Sequence, residues 1–153
     1  MKITNYKIFN TQEISFENVI EHELNEVLNN ADYSILENKP ATNIKKYLIK
    51  EFQKNYWLSN NKLFFNSSRK VDLLKDNIGL QIQFGNHAQV WFDVLKLNYL
   101  FENKRITNGI ILCLNKEISD QINGGMTNFR DTSNLYENFA SFLKCPLIFV
   151  EIS

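Results

Sequence analysis

Glycine and proline are scarce in this chain, with five and two among 153 residues. That excludes collagen-like and proline-rich linker sequences and leaves few places where the backbone is forced to turn. Cysteine is equally sparse. Cys113 (in ILCLN) and Cys145 (in KCPLIFV) sit in apolar runs with no CxxC or Cys/His spacing, which excludes a disulfide scaffold or zinc module and reads as two buried thiols in a reducing compartment. Net charge is missing too. Seventeen basic residues cancel 17 acidic ones, so the chain does not hold nucleic acid or an anionic membrane by overall charge, although a local basic patch remains open. No apolar run reaches the roughly 18 residues of a membrane span, and MKITNYKIFNTQEISF lacks the apolar core of a signal peptide. The expectation is a cytoplasmic protein with no membrane partner.

Apolar side chains are plentiful: 44% of residues are hydrophobic and 12 are Phe, too many for a disordered chain. One domain over residues 1–153 is expected, with a helical segment at 1–39 and a core at 40–153. The 22 Asn are spread evenly and carry no functional weight.

Spacings of three and four from Phe16 through Val19, Ile20, Leu24, Val27 and Leu28 predict an amphipathic helix, with Ser15 as its cap. Pro40 opens a second, where Ile44, Leu48 and Phe52 form a stripe that Tyr47 and Tyr56 widen as far as Trp57. From Arg69 the period changes. KVDLLK and GLQIQF read as the strands of a hairpin, with Leu80, Ile82 and Phe84 on one face and Gln81 and Gln83 on the other. A helix follows to about Asn103, carrying Val90, Val94, Leu97 and Phe101. NGIILCL and PLIFVEI are continuously apolar, as buried central strands are, and the second follows a helix predicted from Thr132 to Lys144. Asn115 to Arg130, with Gly124-Gly125 at its centre, is left as a long loop of the kind that is functional or disordered. The sum is an α/β fold with a small central mixed β-sheet flanked by helices.

Asp72, Gln81 and Gln83 are polar residues at mid-strand, between apolar neighbours. Such residues either face solvent on the outside of the hairpin or line a cleft where they find partners. Pattern alone leaves both readings open.

The stretch VDLLKDNIGLQIQFGN resembles the active-site hairpin of the PD-(D/E)xK nuclease superfamily. More narrowly, it is similar to the BglII/BstYI group of type II restriction endonucleases, whose pattern is Asp, eight residues, Glu, one residue, Gln, then Phe, a small residue and Asn. Asp72, Gln81, Gln83, Phe84, Gly85 and Asn86 fall on those positions. The order and character of the later segments are also similar, from about Ile44 to Ile152. The resemblance implies a restriction-endonuclease-like fold, a Mg²⁺ ion held by Asp72 and position 81, and Gln83 orienting water or a phosphate oxygen. Glu51, on the upstream helix, would add an outer carboxylate. Gln81 departs from the pattern, because an amide oxygen is a weaker ligand than a carboxylate. This implies an inactivated chain, with glutamine put in place of a native glutamate, or a natural protein whose cleavage is lost or altered.

The same resemblance implies double-stranded DNA as partner, with a short palindrome, GATC-centred, read by a homodimer. Trp91, Phe92, Leu95 and Tyr99 would form the dimer surface. Asn86, His87, Asn123, Asn128 and Arg130 are candidate base contacts, since Asn pairs with adenine and Arg with guanine. Lys104 and Arg105 are candidate phosphate contacts, and equally suit the end of a helix. Against an enzyme stand two other classes: a catalytically silent nuclease-like module that binds DNA or protein, and a small immunity or inhibitor protein.

Overall fold

A computed structural model describes residues 1–10, 19–31, 40–122 and 126–153. These form a six-stranded mixed sheet in the order β1-β6-β5-β4-β3-β2. The strands are β1 (Ile3–Phe9), β2 (Leu58–Lys62), β3 (Lys70–Lys75), β4 (Ile78–Gln83), β5 (Asn108–Leu114) and β6 (Leu147–Ile152). A π-helical segment at Val19–Leu24 leads into α1 (Asn25–Asn30), followed by α2 (Ala41–Lys54), α3 (His87–Glu102), α4 (Lys116–Ile122) and α5 (Phe129–Glu137).

The central strands are apolar throughout because both faces are covered. Ile110, Leu112 and Leu114 of β5 pack with Leu28, Leu48 and Phe52 of α1 and α2, while Ile111 and Cys113 pack with Val90, Val94 and Leu97 of α3. Parallel pairing of β4 with β5, and of β5 with β6, follows from the helical crossovers between them. The β3–β4 hairpin closes through Asp76 and Asn77 at φ 45° and 64°, a left-handed pair these two residue types tolerate. Glycine sets the height of α3 above the sheet. A Cβ on Gly79 would lie 2.7 Å from Leu97 Cδ2, so Leu97 seats directly on bare backbone.

Several elements depart from the sequence-based expectations. The first forty residues hold more than a helix: β1 pairs antiparallel with β6 at the sheet edge. The predicted cap at Ser15 and the start at Phe16 lie outside the described residues, and the described helix spans Val19 to Asn30. Tyr56 does not widen the α2 stripe, since the helix ends at Lys54 and Tyr56 is exposed. β2 was not foreseen, and the stretch taken as one long loop contains α4. The final helix runs from Phe129 to Glu137 and yields to a 3-10 turn at Ala140–Phe142, leaving Phe139 and Phe142 exposed.

Candidate active site

β3 and β4 part at Asp72. Their ladder runs Lys75↔Ile78, Leu74↔Gly79, Leu73↔Leu80, where its register ends. One step further, Asp72 Oδ2 accepts the Ile82 N–H at 2.9 Å, so a side chain takes the donor that backbone would otherwise pair. That bond holds the Asp72 carboxylate on the backbone of the residue that follows Gln81. Lys45 Nζ of α2 closes on the same carboxylate oxygen at 2.7 Å, with the Asp72 side chain 16% exposed. The site is thus a partly open carboxylate where two strands splay.

Gln81 and Gln83 are both buried beside it. Gln83 Nε2 donates to the Asn86 carbonyl at 3.1 Å, while neither polar atom of Gln81 has a hydrogen-bond partner among the described residues. A hard divalent cation takes oxygen ligands, often one or two carboxylates together with substrate phosphate and water. The Asp72 carboxylate and the unpartnered Gln81 Oε1 fit that chemistry as donors. Among the described residues no group of three or more His, Cys, Asp or Glu is gathered around a metal position.

Asp93 was missed by the sequence reading. It stands three residues after Val90 and four before Leu97, on the buried stripe of α3, and a charge inside an apolar stripe was the available signal. Its side chain is 1% exposed; Oδ1 receives Lys96 Nζ and, at 3.2 Å, Gln89 Nε2, while Oδ2 has no partner among the described residues. Burial pushes its pKa up. The Lys96 ammonium, and behind it Lys45, pull the other way, and the charge of Asp72 adds to the upward push. Lys45 was also missed, because one lysine in the basic surface run of α2 carries no distinguishing pattern.

Lys45, the partner of Asp72, also lines a cleft bounded by the N-terminal turns of two helices. A cleft of about 170 Å³ lies between Ala41, Thr42 and Lys45 of α2 and Gln83, Gly85 and Gln89. Asn86 Oδ1 caps α3 by accepting the Gln89 N–H, and Pro40 caps α2, so two helix N-termini, the ends that favour anions, lie at this cleft.

Glu51 is buried on α2 with both carboxylate oxygens on Lys54 Nζ, at 2.7 and 2.8 Å. His87 is exposed at the start of α3. Asn128 caps α5, accepting the Asp131 N–H and donating to the Asp131 carboxylate, so its amide is engaged inside the protein. Arg130 is exposed on the first turn of α5, and Asn123 lies outside the described residues. Arg105 donates to the carbonyls of Lys62 and Leu63, and Lys104 is exposed beside it at φ 56°. The two cysteines are buried free thiols, as expected. Among the described residues no helix is long and apolar enough to cross a membrane.

The crystal structure of restriction endonuclease BglII complexed with a DNA 16-mer is similar to this chain at a TM-score of 0.74 and 13% identity, covering 100% of this chain and 78% of that one. Free BglII is similar at a TM-score of 0.63 and 15% identity, with 100% and 80% covered. These identities speak for the fold alone. No curated protein sequence matches the chain. The family model described as restriction endonuclease BglII/BglIII matches residues 4–152, the length over which the splayed hairpin and its covering helices are built. The chain therefore belongs to the BglII/BglIII restriction endonuclease family, with the PD-(D/E)xK fold that membership implies, and is a type II site-specific deoxyribonuclease.

Proposed function

We propose that the protein hydrolyses phosphodiester bonds at a short palindrome in duplex DNA, as a homodimer and with Mg²⁺, and that Asp72 is the anionic centre of the reaction. The observation that carries this reading is the parting of β3 and β4 at Asp72, beside the buried amide of Gln81, which has no partner among the described residues. A bound divalent cation would activate water and neutralise charge on the scissile phosphate. Asp72 and Gln81 Oε1 would hold it. Gln83, its Nε2 anchored on Asn86, presents a fixed side chain whose Oε1 can orient the attacking water. The Lys45 ammonium, already at the carboxylate, is placed to stabilise charge that develops on a phosphate oxygen. The N-terminal turns of α2 and α3 receive the DNA backbone, and Asn86 and His87 stand at that mouth for base or phosphate contact.

Phe92, Leu95 and Tyr99 are exposed along one side of α3, with Phe64 edge-on to Tyr99 and Arg69 over Phe92. This apolar side supports a two-fold dimer across α3, the symmetry a palindrome calls for. Trp91 contributes less to it than the sequence suggested, because its ring packs on Tyr136 and Phe139. A GATC-centred site and a cytoplasmic location complete the proposal. A second reading, a silent DNA-binding relative, is favoured by the neutral side chain at position 81. A nicking assay on duplex DNA separates the two. Mg²⁺-dependent cuts that vanish with Asp72→Asn support the enzyme, and tight binding without cuts supports the silent module.

A further inference from the structure

Among the described residues, three buried polar atoms lack partners in the layer between β4 and α3: Oε1 and Nε2 of Gln81, and Oδ2 of Asp93. Leaving such groups unsatisfied costs ~1–3 kcal/mol each, and more for a charged one, so three in one layer mark a place built to receive something. Geometry puts them together. Leu97 of α3 sits over Gly79 of β4, while Gln89 packs against Gly85 at 3.5 Å from where its Cβ would be. α3 therefore runs back along β4, and Asp93, midway between Gln89 and Leu97, lies over the Gln81–Gln83 part of the strand. Gln83 is already bonded to Asn86, so Gln81 is the side chain left facing Asp93. Asp72 is Gln81's neighbour across the parting strands. Two carboxylates are here balanced by two ammonium groups, Lys45 on Asp72 and Lys96 on Asp93.

We propose that Asp93 supplies the second carboxylate of a divalent-cation site, replacing from α3 the acidic ligand that β4 lacks at position 81. The site then consists of Asp72, Asp93 and the Gln81 amide oxygen, a hard-oxygen set with charge −2. Gln81 Nε2 remains as a donor for a water or phosphate oxygen. Gln81 is thus a neutral member of a site whose charge has moved to the helix, and the chain keeps its metal without a glutamate on the strand. The inference rests on the reading of Asp72 as a metal ligand.

The test is a Mn²⁺ titration of the intact protein, followed by paramagnetic broadening of backbone amide resonances. In the parent chain, broadening should begin at the amides around Asp72, Ile82 and Asp93. Asp93→Asn should raise the midpoint by at least about 10-fold, the loss that even an outer-sphere partner causes, with unshifted resonances elsewhere as the control for folding. The double variant Asp93→Asn/Gln81→Glu should recover the parent midpoint, because it returns the carboxylate to β4. An Asp93→Asn midpoint equal to the parent's, with Asp72→Asn still defective, overturns Asp93 as ligand and leaves the Asp72 reading standing. Localised broadening that survives Asp72→Asn, or no localised broadening in the parent, overturns both.

Discussion

Gln81 and Gln83 are the same side chain, two residues apart on the same face of β4, and both are buried, yet one is bonded and the other is not. Gln83 lies at the end of the strand, where the chain turns into α3 and offers the Asn86 carbonyl. Gln81 lies a step deeper, under the part of α3 that carries Asp93, whose carboxylate is already engaged through its other oxygen. Burial and residue type are equal, so the difference comes from what the covering element presents. A satisfied buried amide fixes geometry; an unsatisfied one identifies where a ligand enters.

The largest effect expected from breaking this arrangement is at Asp72. Asp72→Asn removes the charge next to Gln81, and if about 4 kcal/mol of transition-state stabilisation goes with it, cleavage falls on the order of 10³-fold. Steady-state cleavage of a cognate duplex, with the thermal midpoint as control, measures this. Unchanged cleavage would make Gln81's isolation a packing accident.

The comparison sharpens when both glutamines are replaced by methionine, close in size and without the amide. Gln83→Met should lower stability by ~1 kcal/mol, because it removes the hydrogen bond that the buried amide makes to the Asn86 carbonyl. In metal-free buffer Gln81→Met should be neutral or stabilising, with an upward shift of ~2–4 °C per kcal/mol. Shifts of the same sign and size in the two variants would end the distinction. The same logic applies to Asn128 and Arg130. Asn128→Ala should cost ~1 kcal/mol as a lost helix cap. Arg130→Ala should leave stability unchanged, and if Arg130 reads a guanine, ~1–3 kcal/mol of discrimination between cognate and single-base variant sites should disappear in competition binding. The smallest effect is at the thiols. Burial pushes Cys113 and Cys145 up to about 12, so at pH 8 on the order of one thiol in 10⁴ is ionised, and the folded protein should resist alkylation until denatured.

The hairpin was legible because its turn residues and two-residue alternation agree, and β5 and β6 because both of their faces are covered. The edges were not. LSNNK of β2 carries almost no apolar signal, being joined to β3 by backbone pairing, and β1 alternates poorly because most of its side chains stand exposed at the sheet edge. α4 is a short helix in a polar stretch, opened where Asn115 Oδ1 accepts the Ile118 N–H. At the site, Asp72, Gln81 and Gln83 were legible from spacing, and Asp93 stood in view as a charge in the α3 stripe. That Gln81 is stranded was not legible, since it depends on how low Leu97 lets α3 settle over Gly79.

The most direct test of the central claim is to digest a complex DNA library with the protein and sequence the new ends. Mg²⁺ should yield discrete ends sharing one short palindrome, absent with chelator and absent with Asp72→Asn. No discrete ends in Mg²⁺, or the same ends from Asp72→Asn, would contradict the account.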